Sequence, residues 1–192
     1  MTTLLPLVFT SGWASGVNAY ATVLLLGLLG RFGSVDAVPA GLQRTDVLVA
    51  AAILYAVEFV ADKIPYVDST WDAVHTAIRP TIGTVIGLLA GGDATNLDQA
   101  VLAATGGVTA LASHLVKSGL RLAINTSPEP ASNIGVSLLE DLSVAGIIAL
   151  AVGAPWVAAA IAAVLLAAGI ILVVVLASRI RRARERWRAR RA

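Results

Sequence analysis

Long apolar segments alternate with short polar turns along most of the chain. Six apolar stretches lie at residues 4–30, 45–64, 80–91, 99–122, 134–152 and 155–178, and turn-forming sequences such as "GSVDAVPAG", "GGDATN" and "NTSPEPASN" separate them. The last stretch carries no charge; as a helix it is about 36 Å long, enough to cross a hydrocarbon core of roughly 30 Å. The pattern therefore predicts an all-α polytopic membrane protein with about six transmembrane helices.

The third apolar stretch is too short to span a membrane unless its helix begins earlier. Residues 69–79 are polar, yet they complete a full-length helix if Ser69 is the N-cap and Asp72 completes a capping box. Pro80 then lies inside the helix as a kink.

The fifth stretch follows the same plan, with Ser132 as N-cap of a polar half that carries Glu140 and Asp141. Both helices also carry stripes of small residues four apart, at Gly83, Gly87 and Gly91 in the third and at Ala145, Ala149 and Gly153 in the fifth. We therefore predict two similar helical hairpins, at residues 46–91 and 98–153, within a single transmembrane domain at residues 1–178.

Composition strengthens the prediction of a membrane protein. Hydrophobic residues make up 57% of the chain and charged residues 14%, far from the balance of a soluble domain. Residues 4–30 lack a basic region and a cleavage motif, so we expect a retained first span rather than a signal peptide. The sequence contains no cysteine, which excludes disulfides and thiolate-bound metal.

Positive charge is concentrated at the C-terminus. Eight of the fourteen Lys and Arg residues lie in residues 179–191, directly after the last apolar stretch. The positive-inside rule predicts that this Arg-rich tail, residues 179–192, is cytoplasmic, and counting back through six helices places the N-terminus there too. We expect a bacterial inner (plasma) membrane protein with the lipid bilayer as partner; without a nucleic-acid-binding module, no nucleic acid is expected.

Charged residues within the apolar helices fall on stripes. Residues three, four or seven apart share a helix face. The stripes are Asp72, His75 and Arg79; His114, Lys117 and Arg121; and Glu58 with Asp62. Because a charge near the bilayer centre costs at least about 2.5–3.5 kcal/mol, we expect these faces to turn inward and converge, in the cytoplasmic half of the membrane.

These stripes supply the candidate transport-pathway residues, to which Glu140, Asp141 and Asn18 are added. The full set is Glu58, Asp62, Asp72, His75, Arg79, His114, Lys117, Arg121, Glu140, Asp141 and Asn18. With Lys63 included, five negative groups face four positive ones. Asp68 and Glu129 are interpreted as loop or cap residues and excluded.

The first helix contains "TSGWASGVNAY", whose glycines and serines weaken it near its expected cytoplasmic end. In transporters, a broken helix often flanks the substrate. The alternative is that Gly12 and Gly16 form a small-residue packing face and Trp13 anchors the helix at the interface.

Metal, cofactor and enzymatic functions have less support. Two histidines and scattered carboxylates are too few for a specific metal motif, so neither a metal nor a cofactor is predicted. His75 and His114 suit proton relay better. No nucleophile elbow, P-loop or dinucleotide motif is present, which indicates that the protein is not an enzyme, with lipid head-group chemistry as a weaker alternative.

We therefore expect a channel or transporter for a small ion or polar solute with a cytoplasm-facing polar cavity. The rival hypothesis is a non-transporting scaffold whose buried charges are structural salt bridges. Small-residue faces also make a homo-oligomer feasible.

Four stretches carry a family resemblance: "SGWASGVNAYATVLLLGLLGR", "DKIPYVDSTWDAVHTAIRPTIG", "ASHLVKSGLR" and "NTSPEPASN". The chain resembles a bacterial integral-membrane family catalogued only as a domain of unknown function. The resemblance extends to about Arg179. It implies a small polytopic inner-membrane protein and supplies no activity or site residue.

Overall fold

A computed structural model describes residues 4–33, 35–64, 66–92, 94–124 and 130–189 of the chain, and their regular structure is helical. The helices are α1 (Leu4–Val17), α2 (Ala19–Gly33), α3 (Thr45–Ala61), α4 (Val67–Gly91), α5 (Asn96–Ile124), α6 (Pro130–Gly153) and α7 (Pro155–Ala189). A short 3-10 turn, Ala40–Gln43, connects α2 to α3. The all-α prediction is confirmed for these residues.

Among the described residues, four helices are long and apolar enough to cross a membrane, and this indicates a membrane protein. They are Val67–Gly91, Asn96–Ile124, Ala131–Gly153 and Pro155–Trp187. Residues 4–30, predicted as the first span, form two shorter helices that meet at Asn18. α7 continues to Ala189, so the basic tail begins as an extension of the last helix.

The predicted helix starts need correction, while the predicted position of Pro80 inside a helix is confirmed. α4 begins at Val67, after Tyr66 with its positive φ of 71°, so Ser69 lies in the first turn and is not the N-cap. α6 begins at Pro130, which places Ser132 inside its first turn. Pro80 lies within α4, whose polar and apolar halves form one helix. Glu129 lies outside the described residues.

α1 is the central helix, with all but three of its fourteen residues buried against its neighbours. α5 packs along both α1 and α4, while α6 and α7 cover the remaining sides of α1. Outward faces of the bundle are apolar, as Ile53 and Val60 on α3 and Val164 and Ile171 on α7 show. Such faces suit lipid, because apolar side chains on an exposed surface are favourable only in an apolar solvent.

Glycines allow the backbones of α1, α4 and α5 to approach closely. A methyl group built on Gly12 of α1 would lie 2.6 Å from the Gly106 carbonyl oxygen of α5, and one built on Gly83 would lie 2.5 Å from the same atom. Small residues at such contacts bring membrane helices together. The stripe at Gly83 and Gly87 thus packs on α5, whereas Gly153, in the stripe of α6, has nothing within 4 Å.

The close contact between Gly12 of α1 and Gly106 of α5 predicts that the effect of an added methyl group on stability depends on its position. Gly12→Ala should lower the stability of the folded bundle by about 1–3 kcal/mol, because the new carbon would force α1 away from α5. Gly146→Ala is the matched control, since a methyl group there has nothing within 4 Å. Thermal unfolding in detergent measures both; equal melting temperatures for the two variants would contradict the close packing of α1 on α5.

Candidate functional site

A network of ten charged side chains occupies the interior of the bundle, and we call it the charge network. Its members are Glu58, Asp62, Lys63, Asp68, Asp72, Arg79, Lys117, Arg121, Glu140 and Asp141. It extends from the ends of α3 and α5 to the middle of α4 and α6. The expected convergence of the charged stripes is therefore present.

The first part of the charge network is organised by Arg79. Its guanidinium donates to Glu58 Oε1 at 2.7 Å, and both side chains are fully buried. The same group lies 3.1 Å from Asp72 Oδ1 and donates to the Gly16 carbonyl at 3.2 Å. One cation is thus shared by two carboxylates and the backbone of α1.

His114 completes this part as a neutral imidazole. Arg79 Nη1 lies 2.8 Å from His114 Nδ1, and because a guanidinium can only donate, Nδ1 must be the acceptor. The proton then resides on Nε2, which is 3.0 Å from Thr76 Oγ1. The structure assigns this tautomer through its hydrogen-bond partners.

Lys117 is the centre of the second part. Its ammonium lies 2.7 Å from Asp62 Oδ2 and 3.6 Å from Glu140 Oε2, and it donates to the Val17 carbonyl at 2.9 Å. The Lys117 side chain is only 3% exposed. Such a buried ammonium requires this full set of acceptors, because an unpaired charge in a low dielectric is strongly unfavourable.

Arg121 joins the ends of α3, α4, α5 and α6. Its guanidinium contacts Glu140 at 2.5 Å and Asp68 at 3.6 Å, and it donates to Asn133 Oδ1 at 2.6 Å. It also donates to the Asp62 carbonyl at 3.0 Å, the oxygen that Asn133 Nδ2 reaches at 3.2 Å. Arg121 is therefore a junction between four helices.

The third part is less deeply buried. Lys63 lies 3.6 Å from Asp141 and 3.1 Å from the centre of the Phe59 ring. Asp141 Oδ1 accepts a hydrogen bond from Asn18 Nδ2 at 3.1 Å, which connects α6 to the junction of α1 and α2.

The break at Asn18 interrupts the backbone hydrogen bonds of the helix next to Lys117 and Arg79. Ala21 N–H donates to Asn18 Oδ1 at 2.9 Å, so the side chain caps the start of α2. In an unbroken helix that amide would bond to the Val17 carbonyl, which instead accepts from Lys117. Likewise, the Gly16 carbonyl accepts from Arg79. The break thus supplies two backbone acceptors to buried cations.

Both interpretations of the first helix describe part of the structure. Gly12 and Gly16 do pack against α5, as a small-residue face would. The break lies at Asn18, midway along residues 4–33 rather than near one end, and its freed carbonyls are buried in protein.

His75 lies beside the charge network among aromatic groups. Its Nδ1 donates to the Trp71 carbonyl at 2.7 Å, its ring stacks on Trp71 with centroids 4.6 Å apart, and Nε2 is 3.0 Å from the Tyr20 hydroxyl. Among the described residues, no group of three or more His, Asp or Glu side chains has the geometry of a metal site.

The charge network has more carboxylates than cations. Glu58, Asp62, Asp68, Asp72, Glu140 and Asp141 give six, against Lys63, Arg79, Lys117 and Arg121. Five buried carboxylate oxygens accept no hydrogen bond from the residues that the structure describes: Glu58 Oε2, Asp62 Oδ1, both Asp72 oxygens and Asp141 Oδ2. These five atoms are therefore the positions at which the charge network could accept a further proton or hydrogen bond.

All eleven residues of the candidate set lie in or against this network, but sequence reasoning missed Asp68, which is a member, and Asn133, which contacts it. Asp68 was excluded as a loop or cap residue; it does lie in the first turn of α4, yet it is buried and paired with Arg121. Its spacing of four from Asp72 was the available clue. Asn133 lies seven residues before Glu140, so both fall on one face of α6.

Comparison with known proteins gives one match. A family model described as "Domain of unknown function (DUF4126)" matches residues 5–175, nearly the whole helical bundle. Neither a curated protein nor a solved structure matches the chain.

Proposed function

Since the chain belongs to the DUF4126 family, whose function is unknown, we propose its function from the geometry of the charge network. The protein is a channel or transporter that moves a small ion or polar solute across a membrane. The network is the part of the molecule through which the passenger, or the ion coupled to it, passes.

One observation carries this proposal: a buried surplus of carboxylates surrounds a broken helix. A purely structural network would be expected to match each carboxylate with a cation, because an uncompensated buried charge is strongly destabilising. Here six carboxylates share four cations, and protonation of His75 would still leave one negative charge in excess. A proton or another cation that binds and leaves would balance the charge.

The proposed topology has six crossings. The long apolar helices α4 to α7 supply four of them, α3 supplies another, and α1 with α2 form a broken crossing. Broken crossings of this kind surround the binding sites of many transporters. With the Arg-rich end of α7 on the cytoplasmic side of a bacterial inner membrane, both termini are cytoplasmic.

A scaffold is the second candidate, and the close ion pairs favour it. Arg79, Lys117 and Arg121 each have a carboxylate within 2.7 Å, and these bonds lock α3, α4, α5 and α6 around α1. A protein built only to hold helices together would use such bonds in the same way.

Reconstitution into liposomes separates the two candidates. The wild-type protein is tested with a panel of ions and a pH-sensitive dye, and we expect flux of at least one ion. Glu58→Gln should abolish that flux, because Glu58 is a fully buried member of the surplus. Glu185→Gln is the matched control, since Glu185 is exposed on α7 and pairs only with its helical neighbour Arg181 among the described contacts.

Melting temperatures in detergent complete the test. Loss of flux with melting little changed supports transport through the charge network. Flux that survives in Glu58→Gln, or a wild-type protein that moves none of the ions, overturns the proposal and favours the scaffold.

A further inference from the structure

A crevice opens between α4 and α5 and reaches the charge network. It has a volume of about 240 Å³, and although most of its surface is apolar, its wall carries the hydroxyl-bearing residues Ser69, Thr76 and Ser118 together with Asp72 and Arg121. A space of this size has room for water molecules, which need polar partners such as these side chains. The crevice therefore offers a route past hydroxyl groups from the surface to one buried carboxylate.

The carboxylate at that crevice is Asp72, which has an unusual set of partners. Its side chain is 4% exposed, and neither oxygen accepts a hydrogen bond within the described structure. Arg79 lies 3.1 Å from Oδ1 but directs its short hydrogen bond to Glu58. A buried carboxylate in this state is strongly unfavourable unless a proton or cation compensates it.

The charged groups around Asp72 come from three helices. On α4 they are Asp68, His75 and Arg79; on α5, His114, Lys117 and Arg121; and at the end of α3, Glu58 and its C-cap residue Asp62. With Asp72 included, four carboxylates face three cations in this set, and the geometry makes His114 neutral. Unless a proton is bound by one carboxylate or by His75, the cluster carries excess negative charge.

We propose that Asp72 is a proton-binding site that loads through the α4–α5 crevice; its use in coupling rests on the transport function proposed above. A proton suits the site better than a metal ion. Arg121 in the crevice wall repels cations, whereas protons pass along water and hydroxyl groups without a bare ion entering the crevice.

Binding and release of this proton change the partners of Arg79. When Asp72 is protonated, Glu58 is the one carboxylate that competes for the guanidinium, which keeps its hydrogen bonds to His114 and to the Gly16 carbonyl of the broken helix. When Asp72 loses the proton, two carboxylates compete for one cation. Proton occupancy of Asp72 is thereby linked to the junction of α1 and α2.

Infrared spectroscopy of the protein in liposomes tests proton binding without requiring transport. A buried protonated carboxyl that lacks hydrogen bonds absorbs at a higher C=O stretching frequency than a hydrated one. Wild-type protein should develop this high-frequency band as the pH is lowered. Asp72→Asn should lose the band, and Asp46→Asn should keep it, because Asp46 is exposed and paired with Arg44.

A second measurement uses the wild-type protein alone, in case Asp72→Asn does not fold. A hydrophobic carbodiimide reacts with protonated carboxyls in apolar surroundings, and mass spectrometry identifies the modified residue. We expect modification of Asp72 that increases several-fold from high to low pH. Modification of other buried carboxylates with Asp72 unmodified would overturn the inference, as would a high-frequency band that persists in Asp72→Asn.

The two proposals can fail separately. If ions move through the wild-type protein while Asp72 takes up no proton, the transport function stands and this site is wrong. If Asp72 takes up a proton in a protein that moves no ion, the site stands and transport is wrong.

Discussion

Arg79→Met should produce the largest loss of stability of any substitution in the charge network. Removing the guanidinium leaves Glu58, fully buried, without its hydrogen-bond donor and leaves Asp72 without the cation that pairs with it in the described part of the chain. Breaking a buried pair in this way destabilises a protein by about 3–5 kcal/mol. We expect the variant to yield little folded protein in detergent and a melting temperature far below that of the wild type.

A second substitution tests whether the unpaired charge of Glu58 causes the loss of stability in Arg79→Met. Glu58→Gln combined with Arg79→Met should recover part of the lost stability, because the neutral amide no longer needs a cation. Arg181→Met is the matched control: that arginine is 83% exposed and pairs with Glu185 on one helix face, a contact worth about 0.2–1 kcal/mol. Equal losses for Arg79→Met and Arg181→Met would mean that the network does not stabilise the bundle.

Hydrophobic patterning predicted the helices, because long apolar runs between turn sequences leave little choice of structure in a membrane. It did not predict the break at Asn18. That break depends on donors that lie far away in sequence, Lys117 for the Val17 carbonyl and Arg79 for the Gly16 carbonyl. A local sequence pattern indicates where a helix is weak, but not which distant side chain satisfies the carbonyls that a break exposes.

Helical spacing predicted the site better than local capping rules predicted the helix starts. Stripes of charge at intervals of three and four did converge, because a charged helix face is too costly to expose to lipid and turns toward the interior of the bundle. Ser69 looked like an N-cap, yet the chain enters α4 one turn earlier, and Asp68 accepts from the Ser69 amide at 2.6 Å. The requirement to bury Asp68 beside Arg121 is a tertiary contact that capping preferences do not include.

The position of α1 explains why the charge network can be buried at all. Glycines bring α1 close to α5, and this proximity places the Gly16 and Val17 carbonyls within reach of cations on α4 and α5. The broken helix is thus both the packing centre of the bundle and a source of acceptors. A substitution of Arg79 or Lys117 should therefore alter the structure at the junction of α1 and α2.

Lys117→Met provides the second large effect, and it separates deep from peripheral charges within the same network. The substitution removes the cation 2.7 Å from Asp62, which is left with the more distant guanidinium of Arg121 at 3.9 Å, and it also removes the donor to the buried Val17 carbonyl. We expect a loss of about 3–5 kcal/mol in the free energy of unfolding, measured as a large drop in melting temperature in detergent.

Lys63→Met is the matched comparison, because it changes the same side chain in the same way at a more exposed pair. Lys63 is 18% exposed and lies 3.6 Å from Asp141, which keeps its bond from Asn18 when the lysine is replaced. Lys63→Met should lower the free energy of unfolding by up to about 1 kcal/mol, as is typical of solvent-accessible ion pairs. Equal losses of stability for Lys63→Met and Lys117→Met would contradict this explanation. They would mean that neither the burial of Lys117 nor its bond to the broken helix at Asn18 adds to the stability of the bundle.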